Sequence, residues 1–143
     1  MIFKTNTPEE TKQSFEAFYR LFLNSGSSGG TTYVDRGTVA TADFAETDLT
    51  INDAVQTLDL SSIIPDDAVM VLVRIRIRGA AEDQFLFYAG DYASGVNATR
   101  LKTQINNIYL ETQVLVPVVD GNIKYNGEVS LTDIDITICG WWT

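Results

Sequence analysis

Histidine is missing from this chain of 143 residues, cysteine occurs once, at Cys139, and proline three times. Without histidine no imidazole can serve as a general base or metal ligand, so a Ser–His or Cys–His nucleophile pair is excluded. One cysteine rules out a disulfide within the chain and a multi-cysteine zinc site. Cations are scarce: 10 Lys and Arg stand against 19 Asp and Glu, a net charge of −9. Phosphate binding needs clustered Lys and Arg, so a nucleic-acid surface is not expected. No apolar run approaches the roughly 18 residues of a membrane span. Pro8, Glu9 and Glu10 stand where a signal peptide would need its apolar core, which predicts synthesis and folding in a cytoplasm. No glycine-rich loop followed by lysine is present to cradle phosphate.

What the chain does have is globular: 45% hydrophobic and 20% charged residues. Its organising stretch is Val69-Met70-Val71-Leu72-Val73-Arg74-Ile75-Arg76-Ile77-Arg78-Gly79. Side chains alternate across a strand, so Val69, Val71, Val73, Ile75 and Ile77 form one β-branched face. Met70 and Leu72 begin the other face, and Arg74, Arg76 and Arg78 finish it. Near the C-terminus Leu131 to Ile138 alternates in the same way, with Ile134, Ile136 and Ile138 on one side and Asp133 and Asp135 on the other. If the two strands are neighbours, arginines and aspartates form a cross-strand ion ladder.

Residues 7–23 predict a helix. Thr7 is a suitable N-cap, Pro8 takes the first helical position, and Glu10 can close a capping box. Phe15, Phe18, Tyr19 and Phe22 recur at helical spacing and make a narrow aromatic stripe. An isolated helix of this length is marginal in water, so the stripe requires a partner. That partner is either its own domain, on which the helix would fold back, or another subunit or larger assembly, on which it would dock as an anchor arm. Ser25-Gly26-Ser27-Ser28-Gly29-Gly30 reads as a flexible tether. A tether would be wasteful for a helix that only caps its own sheet, which favours the second. The expected division is therefore a helical anchor arm over 1–24, a linker over 25–32 and a β-domain over 33–143. Residues 1–30 sum to zero charge, so the whole surplus of nine negative charges falls on the β-domain.

From Thr31 onward the pattern is all-β. Short strands are expected around Thr38-Val39-Ala40, over 55–60 with Leu58 and Leu60 inward, over 84–89, 100–105 and 108–119, from Asn122, and from about Val129 to the end. Asp120-Gly121 and Asn126-Gly127 are two-residue hairpin signals, and Pro117 suits an edge or a bulge. About seven to nine strands with turns every 8–12 residues describe an antiparallel β-sandwich or jelly roll.

Three stretches carry a resemblance: Leu58-Asp59-Leu60-Ser61-Ser62-Ile63-Ile64-Pro65; Val119-Asp120-Gly121-Asn122-Ile123-Lys124-Tyr125; and the alternating strand closing on Gly140-Trp141-Trp142. With the valine-rich strand between them, this region resembles the C-terminal β-sandwich domains of tailed-phage fibre, head-fibre and decoration proteins, over about residues 55–143. The resemblance implies surface display on a virion and a homotrimer. Long fibres carry much more chain ahead of such a domain, and here a short helix and tether stand in its place.

Catalytic chemistry is not expected. Asp43, Glu46, Asp48 and Asp53 could gather around calcium, but they lack the spacing and glycine of a calcium loop. Asp91, Tyr92 and Asn97 share one loop and could stack on and hydrogen-bond a glycan or a partner. Trp141 and Trp142 fall on opposite faces of the last strand, and Cys139 reads as a small buried residue. The reading is a non-enzymatic virion protein of decoration or head-fibre type, made in the host cytoplasm and displayed on the capsid surface. It needs no cofactor or metal and docks through its N-terminal helix onto capsid or other virion proteins. A receptor-binding tail-fibre tip and a carbohydrate-binding module, either with a host surface glycan as partner, are the alternatives.

Overall fold

Alternation decides the centre of the molecule. In the computed structural model, which describes residues 30–143, Val71, Val73, Ile75 and Ile77 are wholly buried, while the residues between them are half-buried or exposed. The helix expected over 7–23, with Phe15, Phe18, Tyr19 and Phe22, and the linker up to Gly29 lie outside the described residues. In chain order the strands are β1 (Tyr33–Asp35), β2 (Phe44–Ala45), β3 (Gln56–Asp59), β4 (Met70–Arg78), β5 (Gln84–Tyr88), β6 (Ala98–Lys102), β7 (Leu110–Pro117), β8 (Asn122–Gly127) and β9 (Asp133–Trp142). Helical structure among the described residues is limited to two 3-10 turns, Glu46–Asp48 and Gly95–Asn97.

The strands form two antiparallel sheets, which makes Tyr33–Thr143 an all-β sandwich. One sheet runs β1-β9-β4-β7, with β2 also on β9; the other runs β3-β8-β5-β6. The inner face of the first sheet supplies Val71, Val73, Ile75, Ile77, Val116, Ile134, Ile136 and Ile138 to one core cluster. The second sheet meets it with Leu58, Phe85, Phe87, Leu101, Ile123 and Tyr125. Each such aliphatic side chain stabilises the domain by about 1.5–3 kcal/mol on burial. Phe85 stacks on Tyr125 at 5.6 Å and meets Phe87 edge-on at 5.1 Å, geometries that favour the ring quadrupoles. The Tyr125 hydroxyl, buried among these rings, accepts the Thr50 N–H at 2.8 Å.

Several local expectations are corrected. Val69 precedes β4 and is half-exposed, so the buried face begins at Val71. Thr38-Val39-Ala40 is not a strand; the chain pairs on either side of it, as β1 and β2. Asp120-Gly121 is a tight turn with both residues at positive φ and a bridge between Val119 and Asn122, but the strands it joins belong to different sheets. The turn is therefore a corner between layers. Asn126-Gly127 is not a turn: it ends β8, with Gly127 opposite Phe85, where an added Cβ would meet Ile51 Cδ1 at 2.8 Å.

β9 carries a bulge. Its pairing with β4 slips between Leu72 and Val73, so Gly140 faces Leu72 while Ile138 faces Val73, and Cys139 is the extra residue. Cys139 is half-buried, not buried as the sequence suggested. The slip reverses which residues face inward: Trp141 packs against the core, whereas Trp142 lies on the outer face, its ring 4.6 Å from that of Tyr33. Tyr33 crosses directly over Gly140, where a Cβ would come within 2.5 Å of its hydroxyl and 2.6 Å of the Val34 carbonyl.

Candidate functional site

The outer face of the first sheet carries the densest polar organisation among the described residues. It is built from strand register. Arg76 lies opposite Asp135 and Arg78 opposite Asp133 across the β4–β9 ladder. The Arg76 guanidinium donates to Asp135, and Arg78 Nη2 reaches Asp133 at 3.5 Å. Arg74 faces Thr137 on β9, so no carboxylate meets it there. It turns to the other neighbour, β7, where its Nε donates to Glu111 at 2.6 Å. Glu111 is the register partner of Arg76, so this contact is a diagonal.

Tyr109, just ahead of β7, closes the charged end. Its ring lies 4.5 Å from the Arg76 guanidinium carbon and 4.7 Å from that of Arg78, within cation–π range. Its hydroxyl donates to Asp133. That hydrogen bond, then burial and the Asp133 charge, raise the Tyr109 pKa, with the two arginines opposing. The Arg76 pKa is raised in turn, first by its bond to Asp135, with desolvation opposing. Arg78 Nε is buried and has no hydrogen-bond partner among the described residues, consistent with the longer reach of this guanidinium to Asp133.

A fourth ion pair holds the border of this face. β1 pairs with β9 from Gly140 onward and β2 pairs at Asp135 and Ile136, leaving Ile138 without a strand neighbour on that side. Asp43 accepts the Ile138 N–H at 2.8 Å, and Arg36 Nη1 donates to the Ile138 carbonyl at 3.1 Å, while the two side chains pair with each other. The ion pair thus stands in for the missing backbone partner. It also ties both ends of the 36–43 loop to β9, aided by Arg36 N–H to the Cys139 carbonyl at 3.0 Å and Asp43 N–H to the Ile136 carbonyl at 2.9 Å. The Asp43 bond raises the Arg36 pKa against a smaller desolvation effect. Residues 39–42 of this loop wall an open groove of about 220 Å³, floored by Arg74, Arg76, Glu111, Asp135 and Thr137.

Chemically, this surface has cations already matched by carboxylates and no activated nucleophile. Among the described residues no group of three or more His, Cys, Asp or Glu could hold a metal ion. Of the four acidic residues of this stretch, Asp43 is engaged as above, Asp48 accepts the Ala45 N–H and Asp53 accepts the Val129 N–H.

Asp91, Tyr92 and Asn97 do share one loop, after β5. Lys124 Nζ donates to the Asp91 carbonyl at 2.8 Å and lies 3.4 Å from its carboxylate. The Asn97 carbonyl accepts the Ala89 N–H at 2.7 Å, closing the loop. Tyr92 is 65% exposed and Val96 91%. Sequence reasoning did not single out Glu111, Tyr109, Arg36 or Asp43 for this face. None of the four gave a signal in the sequence, because which strands flank β4 and β9 is set by topology.

No protein-family model and no curated protein sequence matches the chain. Among solved structures it is similar to two of the Tobacco streak virus coat protein. One, at 2.1 Å resolution, gives a TM-score of 0.36 and 12% identity over 80% of this chain and 85% of that one. The other, a coat protein dimer, gives 0.35 and 13% over 78% and 81%. A likeness at these scores carries no argument about what this chain does.

Proposed function

We propose that this chain is a non-enzymatic structural protein of a tailed-phage virion, displayed on the capsid surface in a decoration or head-fibre role. The observation that carries the reading is strand order. The split first strand, β9, β4 and β7 face β3, β8, β5 and β6, the arrangement of an eight-stranded jelly roll. That architecture serves viral capsid and lectin domains. The resemblance of residues 55–143 to phage fibre, head-fibre and decoration domains selects the virion among these. The β-domain over 33–143 self-associates as a homotrimer, and the arm over 1–24, on its tether over 25–32, docks the assembly onto other virion proteins.

Docking is assigned to Phe15, Phe18, Tyr19 and Phe22. The arm is uncharged overall while the body carries the entire surplus of nine negative charges, so the arm approaches an acidic shell without the body's repulsion. Each fully buried ring contributes about 1.5–3 kcal/mol to docking. Co-sedimentation with the particle tests this. Phe18→Ala and Phe22→Ala are expected to release the protein while leaving its thermal melt unchanged. Retained binding with a sharply lowered melt would make the stripe part of the domain's own core and refute the anchor.

A second reading has an observation behind it. The exposed Tyr92 ring, in one loop with Asp91 and Asn97, suits stacking on a host-surface sugar, as in a receptor-binding fibre tip or a carbohydrate-binding module. Glycan-array binding lost on Tyr92→Ala would favour it.

A further inference from the structure

The ion pairs occupy only half of the first sheet's outer face. At the other end of the strands, register sets Tyr33, Trp142, Met70 and Pro117 side by side across β1, β9, β4 and β7. The next row runs Asp35, Gly140, Leu72 and Leu115, so the apolar part is bordered on the β1 side by Asp35, whose carboxylate accepts the Gly37 N–H at 2.8 Å. No charged side chain falls in this part of β4 and β7. Leu115 is 52% and Tyr33 42% exposed, and Met70, Leu72 and Trp142 are half-buried. The result is a contiguous apolar surface rather than scattered exposed residues, the pattern that marks an interaction site. Among the described residues β7, which borders it, is an edge strand of eight residues with one charge, Glu111, and no lysine to discourage strand pairing.

Charge identifies what covers this surface. Arg36, Arg74, Arg76 and Arg78 meet Asp43, Glu111, Asp133 and Asp135 four for four on this sheet. The body's whole excess of nine negative charges therefore lies on its remaining residues. Two identical subunits repel one another over most of their surface, whereas this sheet presents four matched ion pairs and a single further carboxylate, Asp35, beside an apolar half. We propose that a second copy of this chain seats on the outer face of the β1-β9-β4-β7 sheet, over Tyr33, Met70, Leu72, Leu115 and Trp142. The inference rests on the self-association in the reading above and assigns it a surface.

Light scattering of the full chain at about 20 µM, beside a thermal melt, tests the assignment. Leu115→Glu and Leu72→Glu are expected to convert the oligomer to single subunits or raise its dissociation constant at least tenfold. Val129→Glu, at a residue 63% exposed away from this sheet, is expected to leave the mass unchanged. Unchanged mass for both face variants overturns the surface while self-association stands. A wild-type monomer that still co-sediments with particles overturns the inference and leaves the attachment reading intact. A monomer whose melt falls with Leu115→Glu would show the face covered by its own chain, which also refutes the proposal.

Discussion

Replacing Asp43 with alanine removes the acceptor of the Ile138 N–H and the partner of Arg36 in one step. A hydrogen bond to a charged group contributes about 1.5–3 kcal/mol, and a donor left without an acceptor adds a desolvation penalty. The Asp43 side chain is 9% exposed and that of Arg36 25%, so water recovers part of the loss. A net cost of about 2 kcal/mol follows, which lowers the melting temperature of a domain of this size by roughly 5–10 °C. Arg36→Ala leaves Asp43 holding Ile138 and is expected to cost less. Because both side chains serve one backbone residue, the double variant should cost less than the sum of the singles, with a coupling of about 1 kcal/mol. Amide exchange across 38–42 should accelerate in every variant, since these residues hang between the two anchors. A melting temperature within about 2 °C of wild type for Asp43→Ala, or strictly additive costs, would refute the idea that the pair replaces a strand residue.

Gly140→Ala forces a Cβ against the Tyr33 ring and the Val34 carbonyl, and the overpacking should destabilise by about 1–3 kcal/mol in a denaturant melt. An unchanged midpoint would mean β1 is not held where described. Asp83 is buried and accepts the Ala80 N–H at 2.7 Å and the Ser130 hydroxyl at 2.6 Å; Asp83→Ala should cost about 1–3 kcal/mol by orphaning both donors, read in the same melt. Tyr109→Phe removes the hydroxyl that donates to Asp133. The Tyr109 pKa is raised above its ordinary 10.0, so the folded state favours the protonated phenol. Its stabilisation is full below pH 10 and is lost as pH rises through the raised value. Wild type should melt above Tyr109→Phe at neutral pH, with a lead that shrinks steadily as pH rises past 10; a lead that does not change with pH there contradicts the assignment.

The central strands were legible because period-two alternation is insensitive to its surroundings. Val71 to Ile77 and Ile134 to Ile138 could lie only on a buried face, and matching alternation made them plausible neighbours. What alternation does not encode is which other strand lies beside β4, so Glu111 as the partner of Arg74 was invisible. The bulge at Cys139 was equally hidden, since nothing in Ile138-Cys139-Gly140 announces a register slip; only the close passage of Tyr33 explains why Gly140 follows it. Thr38-Val39-Ala40 misled because its β-branched residues suit a strand. Among the described residues that stretch has no strand partner, and it is the flanking Arg36 and Asp43 that bind β9. Asp120-Gly121 was a sound turn signal, but turn chemistry fixes the local chain reversal and not the sheet that each arm joins. At Gly127 the glycine serves the approach of Phe85 and Ile51, a packing reason that looks identical to a turn in sequence.

The virion assignment is tested most directly by quantitative mass spectrometry of gradient-purified particles from cells producing this chain. Peptides of the wild-type protein are expected in the particle fraction at a fixed ratio to the major shell protein, and Phe18→Ala and Phe22→Ala should move them to the soluble fraction. Wild-type protein found only outside particles, at every stage of infection, would contradict the account.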